Sequence, residues 1–333
     1  MTETLHTWRL LCRFTLRSPL SHVAETISTT AYLNQEPVLQ PDGTVEEVFV
    51  YNGNSWRGQL RDLIATYFLE HVGSPQIGLD AFHLLYSGGS IGGNQQTDIA
   101  QARAYRRLIP PIALLGGGIG NQILPGKLRV SNFYPVCREA PPSLYPVDPD
   151  ERARISYRAL TMEKSYSRKD DSKNPLLAGA LEPRTPAQAT MALGDGEETK
   201  PKRGRDTDAP AQQMRMTVEV VIAGTQLVGH MDLLDATEVE LGCLVSGLHQ
   251  FARSPHIGGQ ASRGLGLVTL ETTLVDLDTG AVVDPFVTVT DHPILSPPAE
   301  QAKAAYDHHV RQLYDAMLAS QEAEVRRMIG ATV

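Results

Sequence analysis

The stretch from Asp235 to Asp276 constrains the fold more than any other part of the chain, because it sets four events in a fixed order: a capped apolar helix, a proline stop, a glycine-rich loop and a strand. Thr237 and Glu240 have the spacing of a capping box, in which a hydroxyl and a carboxylate satisfy each other's orphan N–H groups. Leu241, Leu244, Val245, Leu248 and Phe251 follow at helical intervals, and Pro255 ends the helix. Then comes Ile257-Gly258-Gly259-Gln260-Ala261-Ser262-Arg263-Gly264-Leu265-Gly266-Leu267-Val268. Small residues there free the backbone N–H groups, while Ser262 and Arg263 project polar donors. That chemistry suits an anion cradle, and it equally suits a tight helix-to-strand turn.

Nucleotide-binding fingerprints do not fit the chain. A Walker loop needs Gly-Lys followed by Ser or Thr, whereas Gly126-Lys127 is followed by Leu128. The glycines of Gly88–Gly93 and Gly116–Gly120 lack the three-glycine dinucleotide spacing between a strand and a helix, and they read as loops.

The run IGGQASRGLGLV closely resembles the C-terminal glycine-rich loop of the RAMP superfamily, the ferredoxin-fold subunits of CRISPR effector complexes. Near the other end, NGNSWRGQLRDL (Asn52 to Leu63) resembles that superfamily's strand-to-helix entry, where a Gly-Ser-Ser-x-x-Gly-x-x-Arg pattern opens the first helix. SPLSHV after the first strand and ALLGGGIGNQILPGKLRVSNF before a middle strand extend the resemblance over most of the chain except the middle insertion and the tail. It implies an α+β fold: a ferredoxin-like (modified RRM) palm with finger and thumb insertions. The expected divisions are residues 1–72 and 127–149 as palm, 73–126 as a finger-like insertion, 150–213 as the thumb with its tip, 214–296 as the second half of the palm, and 297–333 as a C-terminal helix.

Composition agrees in part. The 333 residues, 41% hydrophobic and 20% charged, suit one elaborated domain with insertions. Cys12, Cys137 and Cys243 form no metal-ligand or redox spacing and read as small buried residues in a reduced compartment. Neither a basic leader with an apolar core nor a membrane-length apolar run is present, so a cytoplasmic protein without membrane contact is expected. The net charge of −8 opposes general nucleic-acid affinity unless basic residues gather on one face.

In chain order, Trp8, Leu10, Cys12, Phe14 and Leu16 alternate with Arg9, Leu11, Arg13, Thr15 and Arg17, the pattern of a half-buried strand. Its three arginines either track a phosphate backbone or form a solvated face. Thr26 to Asp42 reads as an extended loop. In type III relatives this loop carries a cleavage aspartate before a Ser-Pro-Val step; the stretch here is Asn34-Gln35-Glu36-Pro37-Val38, with Gln35 where the aspartate would be. An amide neither acts as general base nor binds a divalent cation as a carboxylate does, so backbone nuclease activity is expected to be absent. The alternative is a type III-like RNA-guided ribonuclease using Glu36 or Asp42. A third reading, an enzyme holding a phosphorylated small molecule in its glycine loops, lacks the fingerprints.

Glu47 to Tyr51 reads as a short strand and Asn54 or Ser55 as the cap of a helix buried through Trp56, Leu60, Leu63, Ile64, Tyr67 and Phe68. Arg57 and Arg61 lie one turn apart off that face, near the positive end of the helix dipole. A short helix over Thr97–Leu108 carries Arg103, Arg106 and Arg107, and strand character resumes from Lys127 to Val136. Strand-like LTMEKSYSRK (Leu160 to Lys169) and alternating Met214–Ile222 flank a charged, proline-rich excursion, the outline of a thumb. Strands at Leu265–Leu277 and Val282–Val289 then precede a helix from about Ala299, on which His308 and His309 point to different faces.

The resemblance assigns RNA contacts to His22, Ser55, Arg57, Arg61, Gly258, Gly259, Gln260, Ser262 and Arg263. On the thumb it offers Met162 or Tyr166 as a wedge between guide bases, with Lys164, Arg168 and Lys169 on the backbone. No catalytic residue, metal or cofactor is expected. The implied partners are a crRNA guide, target nucleic acid paired to it, further copies of the chain in a filament, and other subunits of an antiviral CRISPR complex of type IV.

Overall fold

The computed structural model describes residues 4–89, 98–119, 121–140, 144, 151, 155–167 and 215–318. Along them run β1 (His6–Leu16), β2 (Val23–Ile27), β3 (Thr30–Leu33), β4 (Gln35–Leu39), β5 (Val45–Phe49) and α1 (Gly53–His71). Next come α2 (Leu79–Phe82), α3 (Ile99–Leu108), α4 (Pro110–Leu115), β6 (Gly117–Ile119), β7 (Gln122–Leu124), β8 (Leu128–Val130), β9 (Tyr134–Pro135) and β10 (Thr161–Ser167). The last part holds β11 (Arg215–Val221), β12 (Gln226–Ala236), α5 (Glu238–Phe251), β13 (Val268–Asp276), β14 (Val282–Val289), β15 (Pro293–Leu295) and α6 (Pro297–Leu318). No helix among the described residues is long and apolar enough to cross a membrane.

The fold is mixed α+β. Its main sheet is antiparallel with strand order β15-β14-β13-β1-β12-β8, and β9 also pairs with β12. Strand β1 is central because its alternation gives one wholly apolar face: Trp8, Leu10, Cys12, Phe14 and Leu16 are all buried. A second sheet, β10-β11-β3-β2, carries the two strands that flank the long excursion, paired from Thr161↔Val221 to Ser167↔Arg215.

Helices α1 and α5 bury their apolar stripes in the same core as β1. The capping box of α5 is complete: Glu240 N–H donates to the Thr237 hydroxyl and Thr237 N–H to the Glu240 carboxylate, which also pairs with Lys127 Nζ at 2.7 Å. Helix α6 buries Ala302, Tyr306, Val310 and Leu313 and packs on α5. The two backbones meet at Gly242, where a Cβ would lie 1.9 Å from the Ala302 carbonyl oxygen.

Several expectations change. Thr26 to Asp42 is not a loop but holds the end of β2 and all of β3 and β4. Every residue of β2 is exposed, so it has no buried face to produce alternation and is held by its ladder to β3. The stretch expected as a finger is partly core: Ile112, Leu114 and Leu115 of α4 are buried with the main cluster. Strand β12 had no counterpart in the sequence reading, because Gly229 beside Phe133 breaks its inward apolar series. Helix α1 starts at Gly53 with Asn52 as N-cap, and neither Asn54 nor Ser55 caps it. Instead, the Asn132 side chain accepts from Gly53 N–H at 3.0 Å.

Gly242→Ala should force α6 away from α5 and cost about 1–3 kcal/mol, the usual range for an overpacked contact. A urea unfolding midpoint equal to that of the unaltered chain would contradict this close approach.

Candidate nucleic-acid interface

The residues next to the sequence motifs meet in one aromatic cluster. Phe14 of β1 lies with ring centroids 5.2 Å from Trp56 and 5.2 Å from Phe133, and 6.4 and 6.5 Å from Tyr51 and Phe251. Trp56 and Phe251 close the circle at 4.9 Å. Such edge-on pairs add about 0.5–1.5 kcal/mol each beyond area burial. Phe14 precedes Ser18–His22, Tyr51 and Trp56 bracket the entry of α1, and Phe251 ends α5 just before the glycine loop. The packing of five rings therefore brings three distant segments to one place.

Backbone hydrogen bonds complete the framework. Gly259 N–H donates to Ser21 O and Gly266 N–H to Pro19 O, each at 2.8 Å, while Leu267 N–H donates to the Ser18 hydroxyl at 2.9 Å. Gln59 of α1 donates to His256 O at 2.7 Å. At Gly258 the approach to the Ser18–His22 segment is closest: φ is +72°, and a Cβ would stand 2.4 Å from Ser21 O. Only glycine fits there. The expected use of Gly258 and Gly259 as phosphate donors changes accordingly, since Gly259 N–H serves Ser21 and Gly258 N–H faces the Tyr51 phenol. Within the loop, the N–H groups of Arg263, Gly264 and Leu265 return to its own carbonyls, so the outward turn at Gln260, Ala261 and Ser262 is where N–H groups are not spent on the framework.

That turn meets the thumb strand. The Arg263 guanidinium lies 4.4 Å from the centroid of the Tyr166 ring, and it donates to the Tyr166 hydroxyl and to the Gln260 side-chain oxygen. Beneath it, Leu265 packs with Val218 and Val220 of β11 in a small second core. Val218 and Val220 stand opposite Lys164 and Met162, and Tyr166 stands opposite Met216, so Met162, Lys164 and Tyr166 share the face of β10 turned toward the loop. Met162 and Lys164 are exposed. Arg168 and Lys169 lie outside the described residues.

Other candidates sit elsewhere. Arg57 donates to Leu115 O, and Arg61 donates to Leu115 O at 2.8 Å and Gly116 O at 3.1 Å. Both thus satisfy carbonyls at the C-terminus of α4, where cations are favoured. They project from the side of α1 away from Gln59, which touches the glycine loop. Burial lowers the pKa of both guanidinium groups, and the charge of Arg57 lowers that of Arg61 further. Ser55 is exposed on the first turn of α1. His22 is half-buried against Tyr51, 5.0 Å between centroids, and its Nε2 accepts from Asn52 N–H at 3.4 Å.

Arg9 and Arg13 of β1 and Arg17 just beyond it are not an open phosphate track. Arg9 forms a two-point pair with Asp232 at 2.7 and 2.8 Å, Arg13 reaches Gln226 and Glu151, and Arg17 pairs with Asp291 at 2.6 Å. The loop carboxylates are engaged as well. Glu36 accepts from the Asn132 amide at 3.0 Å and the Tyr134 hydroxyl at 2.8 Å, and Asp42 accepts from Thr44 N–H and hydroxyl. Gln35 donates to the Tyr157 hydroxyl at 2.9 Å.

Two outcomes follow from this geometry. Replacing Arg61 by Ala should cost about 1–3 kcal/mol of stability by stranding the α4 carbonyls, with an unchanged urea midpoint as the contrary result. Burial also lowers the His22 pKa. The unfolded chain then takes up a proton near about pH 6.5 that the folded chain refuses, so the His22 contribution is full above that value and is lost as pH falls through it. His22→Gln should lessen the loss of stability between about pH 7.5 and about pH 5; an equal acid loss in both proteins would contradict it.

No protein-family model matches the chain, and no curated protein matches it in sequence. Among solved structures, a chain of the "Type IV-B CRISPR Complex" superposes with a TM-score of 0.54 at 21% identity, covering 79% of this chain and 90% of that one. Csc2 from Thermofilum pendens gives a TM-score of 0.38 at 14% identity, covering 96% and 78%, which is too low to argue from. At that identity the likeness is one of fold: the chain has the fold of a chain of a Type IV-B CRISPR complex.

Proposed function

We propose that the chain is a non-catalytic backbone subunit of a CRISPR effector complex, of type IV character, that binds a crRNA guide and presents it for pairing with target nucleic acid. The observation that carries this reading is the convergence of Ser18–His22, the α1 entry and the glycine loop on one framework whose exposed turn, Gln260–Arg263, faces Met162, Lys164 and Tyr166. In this reading β1-α1-β8-β12-α5-β13, with strand order β13-β1-β12-β8, is the ferredoxin-like palm, and β10 with β11 is the base of the thumb. Copies of the chain follow one another along the guide, beside other effector subunits.

The mechanism is electrostatic and steric. Arg263 uses one amino group on Tyr166 and Gln260, and its remaining donors are placed for a phosphate, a division of labour that a planar guanidinium permits. Backbone N–H groups at Gln260–Ser262 and the Lys164 ammonium add donors along the same path. Tyr166 offers a ring, and Met162 an apolar tip, on which or beside which bases stack without being identified. Sequence recognition is left to base pairing. Arg57 and Arg61 act as braces of α4 rather than as the main phosphate contacts. The ribonuclease alternative is disfavoured because both Glu36 and Asp42 already serve local hydrogen bonds.

Arg263→Ala should weaken binding of a single-stranded guide RNA by about tenfold or more, the scale of a charge-assisted hydrogen bond, and leave the urea midpoint in place because the residue is exposed. The slope of log affinity against log salt should flatten by about 0.7 for the lost phosphate contact. Unchanged affinity and slope in a folded Arg263→Ala/Lys164→Ala double variant would overturn the assignment.

A further inference from the structure

Among the described residues, His6, Asp276 and Asp278 bring three potential metal-ligand atoms within 4.8 Å of one another, at the end of the sheet where β1 begins and β13 turns back. The cluster mixes an imidazole with two carboxylates, and each member has at least one contact outside the trio. The His6 ring stacks on Trp8 with centroids 5.2 Å apart. Asp276 accepts the N–H groups of Asp278 and Thr279 on Oδ1, at 2.9 and 2.8 Å, which leaves Oδ2 turned to His6. Asp278 is fixed across the strand pair by Thr7 N–H, which donates to its Oδ2 at 2.8 Å.

The separation of His6 and Asp276 matches a coordination edge. Two ligands each about 2.1 Å from one metal stand about 3.0–3.4 Å apart. His6 Nδ1 and Asp276 Oδ2 are separated by 3.1 Å. In the metal-free chain the same contact is an imidazole N–H donating to the carboxylate; with the ring proton on Nε2, Nδ1 becomes a ligand. His6 also lines a cleft of about 460 Å³ shared with Trp8, Thr237, Leu241, Leu274 and Gln301.

We propose that His6, Asp276 and Asp278 form a site for a borderline divalent transition metal of the zinc class, which ties the start of β1 to the β13–β14 turn. One nitrogen and two carboxylates neutralise a dication and leave positions for water. The site adds a metal to a chain whose cysteine and histidine spacing announces none, and it stands independently of the RNA-binding reading.

The test is thermal unfolding and titration calorimetry of the full chain with Zn²⁺ alone and with Mg²⁺ alone. Zn²⁺ should raise the melting temperature, because a ligand bound to the folded state stabilises it by mass action. Asp278→Asn keeps a carbonyl for Thr7 N–H, so its metal-free melting temperature should equal that of the unaltered chain while its Zn²⁺ affinity falls by about tenfold or more. His6→Ala should lose the Zn²⁺ response as well. The proposal is overturned by the absence of a Zn²⁺ response, by a response of the same size in both variants, which would place the ion elsewhere, or by an equal response to Mg²⁺, which would indicate oxygen ligands without the imidazole.

Discussion

The packing of Phe14 against Tyr51, Trp56, Phe133 and Phe251 is the contact on which the rest of this structure depends. These rings come from β1, the approach to α1, α1 itself, the segment before β9 and the end of α5. Each lies a few residues from a surface segment that carries polar or glycine-rich chemistry. A close-packed interior transmits position, so a displaced ring would move the loop beside it. The glycine loop is therefore less a flexible cradle than a rigid bracket, closed on itself from Pro255 to Val268 and fastened to Ser18, Pro19 and Ser21.

Rigidity decides which groups are left for a ligand. Most backbone donors of the loop are consumed in building it, and the face that remains outward is the short turn at Gln260–Arg263. Its arginine is already oriented by an aromatic ring and an amide, so little rotamer entropy remains to be lost on meeting a phosphate. The net charge of −8 is compatible with such a site because Arg9, Arg13 and Arg17 are paired locally with Asp232, Glu151 and Asp291, so the charges of that region offset one another. A local potential then depends on the few cations that lack a carboxylate neighbour, not on the sum.

Much of this was legible in the sequence where the signal was local. The capping box at Thr237 and Glu240, the alternation of β1 and the strand patterns on either side of the long excursion each depend on residues close together in the chain, and all appear in the structure. The glycine loop was legible as a turn, and its meeting with Tyr166 followed from neither motif alone. What was not legible was long-range. The α4 carbonyls to which Arg57 and Arg61 donate lie far from them in the chain, and the partner of Arg9 is set by a strand register linking it to Asp232. Strand β2 buries nothing and β12 carries Gly229 on its inward face, so periodicity, which reports burial, was blind to the first and weak for the second.

The most direct test of the account is to purify the chain from cells co-expressing a CRISPR array and to measure its size together with any nucleic acid it carries. The account predicts a large oligomer bearing discrete short RNA, seen as raised absorbance at 260 nm relative to 280 nm and as a defined band after extraction. A nucleic-acid-free monomer that stays inert to added guide RNA would contradict it, and would mean that the shared fold reflects ancestry without the shared role.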